Sequence, residues 1–404
     1  MAIRLQEYSQ SYFASCAVGL EEILSKEFQS LGAKKVTLNR GGIDFKGTEV
    51  EALKGVLYSR TASRIYKKIY SFPVVSEKDI YNGGMQIPWY KFMSVDKTFK
   101  IKTLLGYGVQ SASQDAFKNS LYLSQLLKDS IADYFKKLSG RRPNVDLEKA
   151  DMNILLRIAP LKKGDTSVIA TLFLDISGHP LHQRAYRLDG GKAPIKENTA
   201  AGIIMMMNWK PEEEIFMDSM CGSGTFLVEA ALIKGDIPPS FLKALRNRDS
   251  IHSDLRDAFE KELSTYKQKI SDGFNKLRNN KITIYGSDMD NNSLTICAKN
   301  VEAAGLQDVI KIKKVDAIKL TPPAEQKGVI FCNAPYGERV GDVKVLEELY
   351  YEYGENLKNN FKGYTAYILT GSPELQKKVA LKPERKIPVY NGKIDCRLLK
   401  YSLY

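Results

Sequence analysis

The C-terminal half of this sequence predicts an α/β fold in which a parallel sheet carries helices on both faces. Three observations lead to it. From about Tyr186 onward, apolar or half-apolar runs recur as "EIFMDSM", "KITIYGSDMD", "VIKIKKVDA" and "GVIFCNAPY". Stretches at helical spacing separate them, among them "SLTICAKNVEAAGL" and "LEELYYEYGENLKNNF". Such alternation is the pattern of strands joined by crossover helices. Each run also ends in polar residues, and open sheets of this kind bind ligands beyond the carboxyl ends of their strands.

The N-terminal part reads as two smaller α/β units. In the first, residues 1–70, "VGLEEILSKEFQSLGA" sets Val18, Leu20, Ile23, Leu24, Phe28 and Leu31 at helical spacing and closes with Gly32. "KKVTLNRGGIDFKG" follows as two short strands around Arg40-Gly41-Gly42, then "EVEALKGVLYSRTASRIYKKIY" as a helix running into a strand. The second unit, residues 71–180, has a strand at "KTFKIKTLLGYG", where Phe99 and Ile101 alternate with lysines. A long amphipathic helix ends at Gly140, and "MNILLRIAPLKKGDTSVIATLFLDIS" supplies two strands with a polar turn at Lys162 to Asp165. The third unit, residues 186–404, opens with a helix over "TAAGIIMMMNW". Between about residues 235 and 280 it carries a charged helical insertion, which reads equally as a solvated excursion or as a second substrate-contacting face.

Composition narrows the function classes. The chain has 404 residues, and 60 Lys+Arg against 47 Asp+Glu give a formal net charge of +13. That balance suggests a polyanionic partner, most often nucleic acid. In the second unit Lys97, Lys100, Lys102, Lys118, Arg141, Arg142, Lys162 and Lys163 lean towards RNA contact. The five cysteines, Cys16, Cys221, Cys297, Cys332 and Cys396, form no C-x-x-C pair, which argues against a disulfide framework or a zinc ribbon and fits a reducing compartment. His179 and His182 lie three apart with no third ligand nearby, so no metal site is expected. No apolar run has the length of a membrane span and the N-terminus lacks a signal-peptide pattern, so a cytoplasmic protein without a membrane partner is expected.

The chemistry gathers at the strand ends of the third unit. "MDSMCGSGTFLVEAAL" joins a strand to a helix through Gly222 and Gly224, which permit a tight turn and a close approach of ligand to backbone. The helix start that follows offers free N–H groups suited to a carboxylate. The spacing is Gly-x-Gly, neither the longer dinucleotide fingerprint nor a Walker loop, which weakens a nicotinamide reading. In "IYGSDMD", Asp288 can accept both hydroxyls of a ribose, whereas Asp290 reads better as the cap of the next helix. Asp316 ends the third strand, where it can accept from an adenine amino group. "NAPY" (Asn333, Ala334, Pro335, Tyr336) ends the fourth, as an ordinary strand exit or as a cradle for a flat base carrying an amine. Each acid alone reads as a cap or a turn; the four together, at successive strand ends, read as one site.

The series "DSMCGSGT", "GSDMD", "VDA" and "NAPYGER" resembles the S-adenosylmethionine (SAM)-dependent amino methyltransferases. Among them it is most similar to the THUMP-containing bacterial ribosomal RNA guanine-N2 methyltransferases of the RlmL type. "FASCAVGLEEIL", "GGIDFKG", "SRTASRIY", "RRPNVD", "LDISGHPLHQRAYR" and "APIKE" extend the likeness over nearly the whole chain. The resemblance implies a ferredoxin-like first unit, a THUMP RNA-binding second unit and a Rossmann-like methyltransferase domain. It implies SAM held by Asp218, Cys221, Gly222, Gly224, Thr225, Asp288, Met289, Asp316 and Asn333. Asn333 and the Ala334 carbonyl would accept from the target amine, Pro335 would shape the loop, and Tyr336 would stack on the extruded base. Large-subunit (23S) rRNA is the favoured partner, with tRNA guanine, DNA adenine and a non-catalytic RNA-binding role as alternatives. Two departures stand out: Ala334 replaces the usual first proline, and the insertion after Pro239 lacks the family's aromatic-rich stretch.

Overall fold

The computed structural model describes residues 5–106, 109, 117, 119–161, 167–188, 195–246, 252–279, 283–323, 326–336 and 343–404. Lys118, the turn from Lys162 to Asp165, Ala193 and Pro194 of "APIKE", and Gly337, Glu338 and Arg339 of "NAPYGER" lie outside them.

Short strand β1 (Gln6–Glu7) precedes β2 (Ser11–Ser15), helix α1 (Glu21–Ser30), the hairpin β3 (Lys34–Asn39) and β4 (Gly42–Lys46), α2 (Glu49–Tyr58) and β5 (Arg64–Val74). Thr48 and Glu51 form a reciprocal capping box that starts α2. The antiparallel order β3-β4-β2-β5 is that of a ferredoxin-like β-α-β-β-α-β unit. Then come α3 (Lys78–Gln86), β6 (Phe99–Leu105), α4 (Ser120–Ser139), β7 (Met152–Pro160) and β8 (Val168–Asp175). Asn119 caps the start of α4 and Gly140, at φ +73°, ends it.

Strand β5 runs straight through the expected join of the first two units at residue 70. Its first residues pair with β2, and from Tyr66 to Val74 it pairs with β8, with a register shift between Lys68 and Tyr70. The two units therefore share one eight-stranded sheet, ending β5-β8-β7-β6. Side chains alternate across it. Tyr12, Ala14, Phe72, Leu156 and Leu172 point into cores built with α1 to α4.

The third unit contains α5 (Glu197–Met206), β9 (Ile215–Asp218), α6 (Thr225–Lys234), α7 (Phe241–Arg246), α8 (Arg256–Asn279) and β10 (Ile284–Asp288). It continues with α9 (Asn291–Ala303), β11 (Ile310–Lys314), β12 (Gly328–Asn333), α10 (Val343–Asn360), β13 (Thr365–Thr370), β14 (Arg385–Asn391) and β15 (Ile394–Ser402). The order is β11-β10-β9-β12-β13-β15-β14; β9 to β13 are parallel, and β15 is antiparallel to β13. This is the expected Rossmann-like sheet, closed by a hairpin (β14–β15) that the sequence pattern does not mark. The order reverses at β9, so its crevice with β12 is the topological switch point.

The charged insertion packs one side against the rest of the chain. One side of α8 buries Phe259, Tyr266, Ile270 and Leu277. Tyr266 shares a 2.7 Å hydrogen bond with Ser240, whose hydroxyl donates to the Leu57 carbonyl at 2.7 Å. The Tyr58 hydroxyl donates to Glu262 at 2.8 Å. The insertion thus fastens the first unit to the third. Nearby, Arg184 pairs with Glu229 in full burial, Tyr186 donates to Glu229 at 2.7 Å, and Asn198 donates to the Thr61 carbonyl at 3.0 Å. Among the described residues, no helix is long and apolar enough to cross a membrane.

Candidate active site

Asp218 and Asn333 end adjacent parallel strands, with Asp218 in register with Phe331. The crevice there is held by short backbone bonds. Ser219 donates its N–H to the Phe331 carbonyl at 3.0 Å, and its hydroxyl bonds the Tyr353 hydroxyl of α10 at 2.7 Å. Cys221 donates its N–H to the Ser287 carbonyl at 2.9 Å, tying the loop after β9 to the end of β10.

The glycine turn has the geometry its sequence predicts. Gly222 and Gly224 lie at φ +50° and +79°, where a Cβ is disfavoured. A Cβ on Gly222 would meet nothing within 4 Å, so open space faces the backbone there. A Cβ on Gly224 would lie 2.5 Å from the Cys297 sulfur, so this glycine is set by packing as well. A hydrogen bond with Cys297 and burial push the Cys221 thiol up, which keeps it a packing group. Gly222 donates its N–H to Asp288 at 2.9 Å, and the other Asp288 oxygen accepts from the Asp290 N–H at 2.9 Å. Asp290 caps α9 as expected, accepting from Asn292 and Ser293. Met289 is exposed at the rim. Asp316 accepts from the Ile318 N–H at 3.2 Å and begins a short 3₁₀ turn.

Two polar groups stand out at the switch point. Asp218 is 1% exposed, and its carboxylate accepts from the Met220 N–H at 3.3 Å. Burial, with the nearby Asp288 charge, pushes its pKa up to about 8 against the opposing Met220 bond. The Asn333 side-chain oxygen is buried and has no partner among the described residues. Buried acceptors are ordinarily satisfied, so an orphan here points to a ligand that supplies a donor. A cationic ammonium near Asp218, a carboxylate at the start of α6 and a ribose near Asp288 match this donor and acceptor set; the residues fit SAM.

Around Asn333 the "NAPY" residues divide. Ala334 is buried in the core, and the Pro335 carbonyl accepts from the Tyr350 hydroxyl at 3.2 Å. Tyr336 packs against Gly371, and its hydroxyl meets Asn391 at 3.3 Å and Cys396 at 3.5 Å, on the closing hairpin. The ring is thereby set in place by β14 and β15.

Other residues of the site carry little signal in the sequence. Asn300 on α9 donates to the Ser223 carbonyl at 2.9 Å and accepts from the Leu188 N–H at 2.9 Å. Arg187 donates to the Thr225 hydroxyl at 2.8 Å and the Ile195 carbonyl at 2.6 Å. The first residues of the third unit, Arg187 and Leu188, thus brace the glycine turn from two sides. Arg187 lies in the "LHQRAYR" stretch that carries part of the resemblance; Asn300 has no such marker. Among the described residues, no three His, Cys, Asp or Glu side chains gather to hold a metal. Of the basic residues of the second unit, Lys97, Arg141 and Arg142 pair with Asp151, Asp96 and Asp133, while Lys100 and Lys102 line a groove on the sheet.

Comparison with known proteins agrees with this geometry. Residues 11–66 match an RlmL ferredoxin-like domain, 74–160 a THUMP domain, and 184–400 an RMKL-like methyltransferase domain. The ribosomal RNA large subunit methyltransferase K/L of Methylococcus capsulatus is 32% identical over 398 residues, covering 98% of this chain and 51% of that protein. The chain spans about half the length of the curated relatives it matches. Among solved structures, SMU.472, crystallised in complex with SAH, aligns with a TM-score of 0.76 at 28% identity, covering 98% of each chain. A predicted N6-adenine-specific DNA methylase from Listeria monocytogenes aligns with a TM-score of 0.78 at 26% identity, covering 98% of this chain and 97% of that one. With the glycine turn, the switch-point acids and the strand order all falling inside the matched segment 184–400, the chain belongs to the RMKL-like methyltransferase-domain family.

Proposed function

We propose that this chain transfers a methyl group from SAM to the exocyclic N2 amine of a guanine in large-subunit ribosomal RNA. The observation that carries the reading is the orphaned, buried Asn333 oxygen at the switch point beside buried Asp218. SAM supplies the methyl on an electrophilic sulfonium. Asp218 balances its ammonium, the turn through Cys221, Gly222, Gly224 and Thr225 holds its carboxylate, and Asp288 takes the ribose. Met289 and Asp316 border the adenine.

An exocyclic amine is a weak nucleophile because its lone pair is delocalised into the ring. The Asn333 oxygen and the Ala334 carbonyl accept its two hydrogens, which turns the lone pair towards the incoming methyl. Alanine serves here because the role uses the backbone carbonyl. Catalysis is then positioning with an electrostatic part, and the proton leaves readily once the nitrogen is alkylated. Tyr336 offers a ring face at the edge of the site for the extruded base. The reading assigns residues 1–70 to the ferredoxin-like unit, 71–180 to the THUMP unit and 186–404 to the methyltransferase unit, acting in the cytoplasm. The names of the K/L relatives favour rRNA.

The test is methyl transfer from labelled SAM to RNA from cells lacking the gene, with the labelled nucleoside identified by mass spectrometry. N2-methylguanosine in 23S rRNA is the expected product. The same nucleoside in tRNA overturns the substrate, and label on DNA adenine, as the Listeria relative's name suggests, overturns both.

A further inference from the structure

The hairpin β14–β15 sits at the edge of the third unit's sheet. β15 pairs with β13, whereas the outer side of β14 takes no further strand among the described residues. A two-stranded ribbon is only marginally stable by itself. Yet this ribbon carries both groups that hold the Tyr336 hydroxyl. Asn391, the last residue of β14, donates from its side-chain amide at 3.3 Å, and the Cys396 thiol of β15 donates to the same oxygen at 3.5 Å. A Cβ on Gly371, just past β13, would lie 2.9 Å from the Tyr336 ring, so the ring rests on bare backbone there.

The first unit closes the outer side of β14. Tyr390, one residue before Asn391, donates its N–H to the Val18 carbonyl at 3.1 Å. A Cβ on the neighbouring Gly19 would lie 2.7 Å from the Pro388 carbonyl oxygen and 3.2 Å from the Val389 Cα, so the two backbones touch. The turn that makes this contact is itself pinned. Glu21 accepts from the Gly19 N–H at 2.8 Å and from the Gly41 N–H at 2.7 Å, and Cys16 donates its N–H to the Gly41 carbonyl at 2.9 Å. Leu20 is fully buried, and a Cβ on Gly202 of α5 would lie 2.5 Å from it. A turn tied to α1, to the β3–β4 connection and to α5 is a firm stop for an edge strand.

We infer that Asn391 is a positioning residue for methyl transfer and that the first unit is its backstop: the turn at Val18 and Gly19 fixes β14, and Asn391 fixes the Tyr336 ring against the target base. Both roles rest on the methyl-transfer reading proposed above. A hydroxyl held by two groups of one ribbon moves whenever that ribbon moves, and a misplacement of about 1 Å can cost about a hundredfold in rate. The first unit thereby sets the rate of the chemical step, apart from any contact it makes with RNA.

The test is single-turnover methyl transfer from labelled SAM to deproteinised 23S rRNA from cells lacking the gene, with the full chain and a range of RNA concentrations. Asn391→Ala is expected to lower the limiting rate roughly ten- to a hundredfold, while the RNA concentration giving half that rate changes by about twofold at most. Tyr336→Phe keeps the ring, loses the anchored oxygen and should fall as far. The double variant should fall no further than either single one, because both remove the same contact. Gly19→Ala pushes the turn off β14 and should lower the limiting rate by about fivefold or more, with no added loss in the Tyr336→Phe background. If Gly19→Ala does not fold, Tyr390→Pro, which removes the bonded N–H from an edge strand, takes its place. The thermal midpoint and SAM affinity by calorimetry check that each variant is folded. A limiting rate for Asn391→Ala within about twofold of wild type, or an equal loss in the Tyr336→Phe background, overturns the positioning role. A wild-type rate in the folded turn variant overturns the backstop. No methylated RNA from the wild-type chain sinks the proposed function and this coupling together, whereas wild-type methylation with unaffected variants sinks the coupling alone.

Discussion

Replacing Asn333 by alanine separates a chemical role from a structural one. Its side-chain oxygen is buried at the end of β12 without a hydrogen-bond partner among the described residues. An unsatisfied buried acceptor costs about 1–3 kcal/mol. The substitution removes that cost while giving up some packing, so the two effects nearly cancel and unfolding free energy stays within about 1 kcal/mol of wild type. Transition-state positioning has no such offset. Losing one preorganised polar group at a reacting centre typically slows the step by about 10²–10³-fold, or about 2.7–4 kcal/mol. The expected Asn333→Ala protein is therefore as stable as wild type, still binds SAM, and is nearly inert in methyl transfer. Urea unfolding, SAM calorimetry and transfer of labelled methyl to RNA read the three quantities separately. Turnover within tenfold of wild type would refute the amine-cradle argument. A stability loss above about 3 kcal/mol would show that the amide is a structural group.

Three further outcomes follow from the geometry. Asp218 titrates near 3.8 unfolded and near 8 folded, so the native state binds the extra proton between these values. Its contribution to stability is present below the unfolded pKa and is lost as pH rises towards about 8; urea unfolding at pH 5 and pH 8 should differ less in Asp218→Asn than in wild type. In wild type, SAM affinity should rise over the same pH range, because the ammonium pairs only with the carboxylate form. Gly224→Ala places a Cβ 2.5 Å from the Cys297 sulfur at φ +79° and should cost about 2–4 kcal/mol in urea unfolding. Adding Cys297→Ala should recover the crowding part but not the backbone part, a coupling of about 1–2 kcal/mol in a double-mutant cycle. Arg184→Met strands the buried Glu229 carboxylate and should cost about 3–5 kcal/mol, most of it regained in Arg184→Met/Glu229→Leu.

Much of the fold was legible because the signals involved are local. Strand and helix periods, the Gly222 and Gly224 turn, the capping role of Asp290 and the stop of α4 at Gly140 depend on residues within one or two turns of each other. The polar ends of β9, β10, β11 and β12 also stand in the sequence, and once the strands are parallel they must meet at one edge.

What the sequence by itself determined is therefore the order of elements, the Rossmann-like sheet and the residues offered to a ligand. Tertiary structure alone decided which of those residues are left wanting a partner. The sequence offers Asn333 as a strand-end amide, but only the packing of β12 beside β9 leaves its oxygen buried with no partner among the described residues. Likewise Arg157, Lys100, His182 and Phe13 are far apart in the chain and become one groove only because β5 carries a single sheet across two units. Burial and strand pairing are non-local: a carboxylate's pKa or an amide's missing partner depends on which distant segment excludes the solvent, and no local pattern encodes that.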